Sequence, residues 1–397
     1  MLKRFRVSNF KNHLNTEFRP AGVNLLIGPN NAGKTNLCLA MRFLGLTSTR
    51  PLEIALVEAV GETWNIVNAY VSDKTIEMEA ECSLPHQGEQ LLFSYDLQIA
   101  VQPGGPQIAR QPFKVVKETL TLQGGGFDGI PLLVNDGEKA KLLNEEHWVR
   151  KEQNPYIEAP VPTGATLLCV LYDLPTYQRA NLFKRYLQSW AYFDFNPKSL
   201  GSSIVKREQY GLLHDGTNFG RALFILHNMN PSLERSIIKV IRDLEPKLEH
   251  IIYISPDPEH IYFYIEDQER KRFSAEIISD GTFRFMAMTF VIFSTASAVE
   301  DGLTPPLVMI EEPENGLYVG HLKPLVERID RSGQAGQFIF TTHSPYFIDL
   351  FDDNPEGLHL LKPGKPSCSL KKPDPETIRN LLEKMPLGEL HFREMLG

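Results

Sequence analysis

A glycine-rich segment near the N-terminus has the clearest chemical potential in the chain. GPNNAGKT at 28–35 fits the spacing G-x-x-x-x-G-K-[ST]. Its glycines let backbone N–H groups converge on phosphates without obstruction by Cβ, and the dipole of a following helix favours anions. We predict that Lys34 reaches the β- and γ-phosphates of a nucleotide and that the Thr35 hydroxyl ligates Mg²⁺. The predicted nucleotide-binding residues of this segment are Gly28, Pro29, Asn30, Asn31, Ala32, Gly33, Lys34, Thr35 and Asn36.

Two adjacent carboxylates follow an apolar segment in LVMIEEPENGL at 307–317. In an open α/β sheet, ligands bind beyond the carboxyl ends of the strands, and Glu311 and Glu312 stand at such an end. We predict that Glu311 holds Mg²⁺ through water and that Glu312 positions or deprotonates an attacking water. The alternative is an exposed acidic turn that follows a buried strand.

Two further segments are ambiguous when each is taken alone. IISDGTFRFMAM at 277–288 fits both an ordinary helix N-cap and a second phosphate site at a helix N-terminus. QFIFTTHSP at 337–345 predicts a buried strand that ends in His343, and a histidine in that place is more often structural than catalytic. The polar residues of the first segment are Ser279, Asp280, Gly281 and Thr282.

The pattern around these segments predicts an α/β protein. The apolar run at 22–27 ends at the glycine loop, and residues 34–46 carry apolar side chains at helical spacing, so the loop lies between a strand and a helix. Beyond residue 260, strand-like and helical segments alternate to about 350, as a parallel sheet requires.

The middle of the chain is less regular. Residues 66–82 and 91–101 read as strands of a hairpin or small meander. From about 102 to 165 we predict loops around short apolar runs, because PGGP, QGGGFDG and APVPTG are turn signals. Residues 167–190 and 217–250 read as mainly helical.

The order of the four motifs resembles that of the ABC-type ATPases. GPNNAGKT, ISDGT, IEEPENGL and TTHSP resemble the Walker A, signature, Walker B with D-loop, and switch-histidine motifs. The nearest branch contains the RecF, chromosome-maintenance (SMC) and OLD-like proteins. The opening segment RFRVSNFKN resembles the first strand of that branch. LLHDGTNFGRALF at 212–224 resembles a segment of the shorter bacterial members. The resemblance covers roughly residues 1–100 and 210–350, and leaves 102–210 uncovered.

The resemblance implies a P-loop NTPase head with a mostly parallel sheet, an antiparallel β subdomain and an inserted, mainly helical lobe. It implies ATP and Mg²⁺ as cofactors, and a homodimer in which ATP lies between two copies. Ser279 and the Gly281 N–H of one copy would complete the γ-phosphate site of the other, with Asp280 and Thr282 beside them. By the same resemblance His343 senses the γ-phosphate, Asn315 passes along the interface, and hydrolysis opens the dimer.

Several positions depart from the pattern of that superfamily. Glu311 stands where Asp is more frequent, and Tyr318-Val319 stands where His-Pro is frequent. We identify no Q-loop glutamine between residues 50 and 100. No heptad repeat is sustained, so we expect no long coiled-coil arm. The stretch after His343 is too short for the nuclease domain of OLD-like proteins.

We expect four consecutive parts. The N-terminal part of the head, with the Walker A motif and the β subdomain, spans 1–101, and an inserted irregular and helical lobe spans 102–250. The C-terminal part of the head, with the signature, Walker B motif and switch histidine, spans 251–350, and a tail spans 351–397.

Composition sets further limits. The formal charge of −8 and a pI near 5.8 disfavour nonspecific nucleic-acid binding. Residues 1–50 nevertheless hold eight Lys or Arg against Glu17, whereas residues 51–100 hold nine acids against Lys74. This predicts either a basic surface or one that balances its acidic neighbour. The four cysteines show no C-x-x-C spacing, and we found no apolar run near the roughly 20 residues of a membrane span, so we expect reduced thiols and a cytoplasmic protein without membrane contact.

Three functions remain open at this point. The first is an ATPase whose ATP-dependent assembly is a switch or sensor for a separately encoded effector, as in anti-phage defence. The second is a RecF-like DNA-repair ATPase that binds DNA. The third is a scaffold that needs ATP for its shape and does not hydrolyse it.

Overall fold

The computed structural model of the chain forms two compact units. It describes residues 1–62, 65–101, 113–195, 211–244, 248–257, 260–274, 278–300, 304–317, 319–329 and 335–396. Unit 1 comprises Met1–Ala21, Leu26–Trp190 and Gly357–Pro373, and unit 2 comprises Gly22–Leu25, Ala191–Glu356 and Asp374–Gly397. The expected division into four consecutive parts stays a prediction. The PGGP segment at 103–106, Ile277 and Tyr318, all named above, lie outside the described residues.

Both units contain strands and helices. The strands are β1 Leu2–Ser8, β2 Thr16–Phe18, β3 Val23–Ile27, β4 Thr75–His86, β5 Glu89–Val101, β6 Phe113–Gln123, β7 Ile130–Asn135, β8 Ala140–Leu143, β9 Tyr156–Ala159, β10 Ala191–Phe193, β11 His250–Asp257, β12 His260–Glu266, β13 Arg272–Ser274, β14 Leu307–Glu311, β15 Gln337–Thr342, β16 Leu358–Lys362 and β17 Ser369–Lys371. The helices are α1 Lys34–Leu46, α2 Leu52–Val60, α3 Glu145–Val149, α4 Leu167–Val170, α5 Gln178–Gln188, α6 Phe219–Met229, α7 Pro231–Leu244, α8 Asp280–Glu300, α9 Lys323–Val326, α10 Pro345–Ile348, α11 Pro375–Leu382 and α12 Leu387–Phe392.

Unit 1 contains an eight-stranded sheet with the order β2-β1-β4-β5-β6-β7-β8-β9. Each neighbouring pair is antiparallel, and β4 pairs with β5 from Thr75↔Ala100 to His86↔Glu89. Buried and less buried residues alternate along β4, as expected of a strand with one face on a core. The predicted β subdomain is present, and the strands of the predicted hairpin are β4 and β5.

The apolar runs that we predicted to lie among loops form β6, β7, β8 and β9 of the same sheet, with α3 between β8 and β9. The glycines at 124–126 that favoured a loop form the connection between β6 and β7, where all three have positive φ. The turn residues between these strands favoured loops, although β6 is eleven residues long and alternates in burial over much of its length.

Helix α1 follows the glycine loop at the predicted residues. Its apolar residues at helical spacing are buried, including Leu37, Met41 and Leu44. The helix begins after Gly33, which has left-handed φ and provides no side-chain cap. The predicted order of strand, glycine loop and helix is therefore confirmed.

In unit 2, parallel strands of continuous burial reach the acidic segment. Within this unit, β14 lies between β10 and β15. Strands β10, β14 and β15 are parallel neighbours, and every residue of β14 and β15 is buried. Such continuous burial is typical of parallel strands that are covered on both faces. Strands β11, β12 and β13 form a separate antiparallel sheet, which the prediction of simple alternation beyond residue 260 did not include.

Helix α8 carries the signature-like segment at its start. Among the described helices, it is long and apolar enough to cross a membrane by length and composition alone, over Asp280–Val299. Half of that stretch is buried inside the protein. Phe283 packs edge-to-face on Phe219, with ring centroids 4.8 Å apart. A core helix of a globular unit has the same properties.

Candidate functional site

Two glycines shape the loop between β3 and α1 in unit 1. A Cβ on Gly28 would lie 2.2 Å from the carbonyl oxygen of Leu361, so a side chain cannot be accommodated there. Gly33 has a φ of +100°, and a Cβ on it would lie 2.9 Å from Cys368 Sγ. Glycine is therefore required at Gly28 for close approach and at Gly33 for conformation as well.

The remaining loop residues combine exposed backbone with one buried cation. Pro29, Asn30 and Asn31 are exposed, and Asn31 has a φ of 62°. The Lys34 ammonium donates to the carbonyl oxygens of Gly28, at 2.6 Å, and of Pro29, at 3.2 Å. Its side chain thus crosses the inside of the loop. Ala32 is buried, Thr35 is exposed and Asn36 is half-buried at the start of α1.

A buried histidine supports the loop from below. His13 is 0% exposed, and its Nε2 lies 3.0 Å from the Gly33 carbonyl oxygen. Burial lowers the pKa of His13 to about 4, so the ring is neutral near pH 7. A carbonyl oxygen can only accept, so Nε2 carries the proton and Nδ1 accepts from the Thr16 hydroxyl at 2.8 Å. Cys368 Sγ packs 3.2 Å from Nδ1.

An amide-lined cavity of about 730 Å³ lies beside the loop in unit 1. Asn12 joins the loop to α1, because its side chain accepts from the Asn36 amide at 2.8 Å. Lys11 and Glu62, which also line the cavity, form an ion pair at 3.2 Å. The asparagines that line the cavity are Asn12, Asn31, Asn36, Asn65 and Asn68. Amides donate and accept hydrogen bonds, so the lining suits a polar, uncharged ligand group.

In unit 2, β14 and β15 end side by side with Glu311 opposite Thr341. Glu311 is 7% exposed, and its Oε2 accepts from the Thr341 hydroxyl at 2.7 Å. The predicted carboxylate therefore lies at the carboxyl end of a parallel strand, where ligands bind in open α/β sheets. The alternative of an exposed acidic turn does not hold for this residue.

Glu312 is held by both its backbone and its carboxylate. Its φ is +38°, in the left-handed region that disfavours residues with a Cβ, and its N–H donates to the Thr341 carbonyl oxygen at 3.0 Å. Asn315 Nδ2 donates to Oε2 at 2.6 Å, and His343 Nδ1 lies 3.1 Å from Oε1. A carboxylate oxygen accepts, so His343 Nδ1 is the donor of this hydrogen bond.

A third carboxyl of the same segment is buried. Glu314 is 8% exposed, and the Thr342 hydroxyl donates to its Oε1. Burial raises the pKa of Glu314, while the hydrogen bond from Thr342 opposes the rise. Each of the three carboxyls is thus hydrogen-bonded to one residue at the end of β15: Glu311 to Thr341, Glu312 to His343 and Glu314 to Thr342.

The start of α8 has the geometry of a capped helix. The Ser279 hydroxyl accepts from the Thr282 N–H at 3.1 Å, and both Ser279 and Asp280 are exposed. Gly281 is buried, and a Cβ on it would lie 2.3 Å from the Gly316 carbonyl oxygen. The signature-like turn therefore packs directly on the turn that follows the three carboxyls.

A half-buried cation, Arg284, lies near Glu312. Burial lowers the pKa of Arg284 on α8, and the nearby charges of Asp194, Asp280 and Glu312 oppose that effect. Asp194 follows β10, whose register with β14 brings it to the level of Glu311. The cation offsets part of the negative charge that gathers at this edge of the sheet.

Comparison with solved structures identifies a known fold. A crystal structure of the SmcHead bound to the C-winged helix domain of ScpA is 11% identical, with a TM-score of 0.54 over 93% of this chain and 96% of that one. The Smc head domain with an extended coiled coil, bound to the C-terminal domain of ScpA from Pyrococcus furiosus, is also 11% identical, with a TM-score of 0.52 over 97% of this chain and 99% of that one. This chain has the ABC-type P-loop ATPase head fold of the SMC kind. The predicted fold is confirmed.

A sequence comparison matches one protein family over part of the chain. Residues 177–349 match the family described as "AAA domain, putative AbiEii toxin, Type IV TA system". The match includes the signature-like, acidic and histidine motifs of this SMC-type head, and begins after the glycine loop. A comparison with curated protein sequences gives no match.

Sequence reasoning placed most of the site residues and missed their supports. The glycine loop lies in unit 1, whereas Glu311, Glu312, Asn315 and His343 come together in unit 2 with the signature-like turn. The residues that hold these groups in place and were not predicted are Asn12, His13, Glu314, Thr341 and Thr342. A signal was present for the last two, because both threonines precede His343 in TTHSP.

Proposed function

We propose that the chain binds ATP with Mg²⁺ and hydrolyses it, with Glu312 as the general base. One observation carries the proposal: His343 and Asn315 hold the Glu312 carboxylate at the end of β14 while its backbone stays at a φ of +38°. A strained conformation costs on the order of 1–3 kcal/mol and persists only where the surroundings determine it, which is frequent at functional sites. A base must also be aimed before it can take a proton from water.

The loop in unit 1 supplies the phosphate site in this proposal. Backbone N–H groups around Gly28 and Gly33 would hold the phosphates, and Lys34 would exchange its two carbonyl partners for phosphate oxygens. The amide-lined cavity beside the loop would take the nucleoside, because the asparagine side chains can donate to and accept from a base or ribose.

Thr35 and Glu311 are the residues proposed to hold Mg²⁺. Both offer oxygen donors, the ligand type that Mg²⁺ prefers, and Mg²⁺ commonly takes few protein ligands because phosphates and water supply the rest. The described residues contain no group of three or more His, Cys, Asp or Glu side chains that could hold a metal. The metal supplies charge neutralisation at the phosphates when it is bound.

Self-association around ATP is the proposed consequence of binding. Ser279 and Asp280 are exposed at the N-terminus of α8, so the signature-like turn can face a second copy. In this proposal Ser279, Gly281 and Thr282 of one copy cover the phosphates in the loop of the other. Asn315 bonds to the Glu312 carboxylate and is adjacent in sequence to Gly316, on which Gly281 packs. In this proposal, closure of the dimer at Gly281 would therefore alter the position of Glu312 through Asn315.

A separate protein partner completes the proposal. The two solved SMC heads are each bound to a domain of ScpA, which favours a protein rather than DNA as the first partner to seek. We propose that ATP-dependent assembly of this chain switches a separately encoded effector in phage defence. The matched family description names a toxin of a toxin–antitoxin system, which is compatible with a defence role.

The positive charge of residues 1–50, one of two observations behind the DNA alternative, is mostly paired with acids. Within unit 1, basic side chains of the first fifty residues pair with acids of residues 17–81. Arg4 contacts both Glu79 and Glu81 at 2.8 Å. The excess positive charge is balanced locally, so we expect no salt-sensitive binding of a DNA duplex.

The test measures ATP turnover and light-scattering mass for the wild type, Lys34→Ala and Glu312→Gln. Lys271→Ala is the matched control, since Lys271 is an exposed lysine of unit 2 that pairs with Glu269. We expect Lys34→Ala to lose ATP binding and assembly. Glu312→Gln should lose turnover by roughly 10²–10⁴-fold while its ATP-bound dimer persists.

Two outcomes would reject this function. Equal, measurable turnover in the wild type and Glu312→Gln would remove Glu312 as the base, and a wild type that binds ATP without turnover would favour the scaffold. A wild type whose mass does not change with ATP would remove the dimer, even if turnover remained.

A further inference from the structure

We propose that Glu314 is a positioning residue for ATP turnover, because it fixes His343 against Glu312 through the hydroxyl of Thr342. The inference rests on the proposed ATPase function. Glu314 does not touch the proposed nucleotide or water, and it would act through its neighbours alone.

The end of β15 is joined to the acidic segment by three side-chain pairs. Two of them serve residues that already have proposed roles, Glu311 and Glu312. The third pair joins two buried side chains, since Thr342 is 0% and Glu314 is 8% exposed. The pairs are Thr341 with Glu311, His343 with Glu312, and Thr342 with Glu314.

The third pair controls the backbone on both sides of His343. Thr342 Oγ1 accepts from the Ser344 N–H at 3.0 Å, and its single proton goes to Glu314 Oε1 at 2.5 Å. The chain of hydrogen bonds from Ser344 through Thr342 to Glu314 therefore spans the residue that carries the imidazole. Without the carboxyl, the Thr342 hydroxyl has no fixed acceptor and the turn at His343 is less constrained.

Glu314 also belongs to the turn that holds the other partner of Glu312. The Leu317 N–H donates to the Glu314 carbonyl oxygen at 3.0 Å, and the Asn315 N–H donates to the Glu312 carbonyl oxygen at 3.1 Å. Asn315, which bonds Glu312 Oε2, directly follows Glu314 in this turn. The Glu314 carboxyl thus joins the turn that carries Asn315 to Thr342, the residue before His343.

Burial indicates which variant should preserve this role. Thr342 needs only an acceptor at Oε1, and burial favours the neutral form of the carboxyl. Within the described residues, Glu314 Oε2 has no hydrogen-bond partner. A glutamine matches the shape of a neutral glutamic acid and keeps one carbonyl acceptor, whereas leucine keeps the volume and loses the acceptor.

The first experiment separates turnover number from Michaelis constant in four variants. Glu314→Leu and Thr342→Val remove the two ends of the hydrogen bond, and Glu314→Gln and Thr342→Ser are their conservative partners. We expect the first two to lower kcat by on the order of 10²-fold, with KM within about twofold, because misplacement of a catalytic group has effects of that size. The conservative variants should recover most of the turnover.

A double variant tests whether the two residues act together. Glu314→Leu with Thr342→Val should be no slower than the more impaired single variant, since both substitutions break one chain of hydrogen bonds. Additive losses would overturn the proposal. If Glu314→Leu does not fold, Thr342→Val against Thr342→Ser decides alone, because the valine is close to isosteric and the serine restores the hydroxyl.

A second measurement does not depend on hydrolysis. Selective ¹⁵N labelling of histidine reports the imidazole tautomer of His343, which is assigned by its loss in His343→Gln. We expect one Nδ1-protonated form in the wild type and Thr342→Ser, and averaged tautomers in Thr342→Val. An unchanged His343 spectrum in Thr342→Val, or unchanged kcat with only a lower melting temperature, would overturn the positioning role. A wild type without turnover would reject the proposed ATPase function while the spectrum still decided this inference.

Discussion

The glycine loop in unit 1 differs in construction from the carboxyl edge in unit 2, which we define as Glu311, Glu312 and Glu314 with their partners Thr341, His343 and Thr342. The loop owes its shape to backbone: Gly28 and Gly33 have no room for a side chain, and the Lys34 side chain and the His13 ring bond to main-chain carbonyls. The edge owes its shape to side chains, because three carboxyls are each paired with one residue after or within β15.

The difference teaches which changes each region tolerates. A backbone-built site should fail when a methyl group is added and should be insensitive to the loss of one polar atom nearby. A site built from side-chain pairs should fail when one acceptor is removed, because the remaining donor is left buried without its partner. The substitutions below either break this contrast or sharpen it.

The largest expected effect is that of Gly33→Ala. Its φ of +100° strains any residue with a Cβ, and that atom would lie 2.9–3.1 Å from Cys368, Asn12 and His13. Left-handed strain of roughly 1–2 kcal/mol and overpacking of roughly 1–3 kcal/mol predict a loss of about 3 kcal/mol in the free energy of unfolding. Urea unfolding measures it, and ATP titration should show weakened binding as well.

Gly88→Ala is the matched control for that substitution. Gly88 has a φ of +85° in the turn between β4 and β5, and nothing lies within 4 Å of its would-be Cβ. Gly88→Ala should lower the free energy of unfolding only by the left-handed strain, about 1 kcal/mol, and should leave ATP binding unchanged. Equal losses at the two glycines would contradict the claim that the loop is packed against its neighbours.

The glycine loop was predictable because its chemistry is local. The motif spacing fixed Gly28 and Gly33, and the apolar run before it and the helical spacing after it gave β3 and α1 their places. Its supports were not predictable in the same way. His13 is twenty residues from Gly33 and Cys368 far beyond it, so only the fold brings them together.

Only some residues of the carboxyl edge were predicted from the sequence, for a related reason. Glu311, Glu312 and His343 were found because strand ends are marked by polar residues after apolar runs. The pairing of Thr342 with Glu314 depends on the register of β14 against β15, which sequence patterns do not specify. The strands within 113–159 were not predicted, because the glycine and proline residues around them are typical of loops.

The next effect is the loss of stability at acidic pH that the buried His13 causes. The pKa of His13 is lowered by burial from 6.5 to about 4, so between these values the unfolded chain binds a proton that the folded chain does not. Stability should therefore fall as pH decreases from about 6.5 to 4, by about 3 kcal/mol from this residue. In His13→Gln, which keeps a donor for the Gly33 carbonyl, the fall should be smaller by that amount.

Urea unfolding at several pH values between 7 and 4.5 measures both proteins. The pKa of His359 is also lowered by burial, to about 3, but that residue is present in both and cancels in the difference. Parallel curves for the wild type and His13→Gln would show that the ring is not neutral beneath the loop.

A smaller effect is expected where the side-chain-built region has its own close backbone contact. Gly281→Ala places a Cβ 2.3 Å from the Gly316 carbonyl oxygen, so either the start of α8 or the turn after Glu314 must move. Alanine would otherwise favour the helix by about 1 kcal/mol, so a net loss of about 2 kcal/mol would be steric in origin. Turnover should fall by roughly tenfold.

Gly211→Ala is the control in unit 2, since nothing lies within 4 Å of its would-be Cβ. It should change neither stability nor turnover measurably. A Gly281→Ala protein as stable and as active as Gly211→Ala would mean that this turn accommodates a methyl group, and the contrast between the two regions would become complete.

The smallest effect isolates the backbone strain at Glu312. Glu312→Ala and Glu312→Gly both remove the carboxylate and should both abolish turnover, yet only glycine adopts a φ of +38° without strain. Relief of roughly 1–2 kcal/mol, less roughly 0.4–1 kcal/mol for the more flexible unfolded glycine chain, predicts that Glu312→Gly is more stable by about 0.5–1 kcal/mol. Paired thermal and urea unfolding resolves such a difference. If alanine is the more stable of the two, the φ of Glu312 carries no strain, and the edge is built by side chains alone.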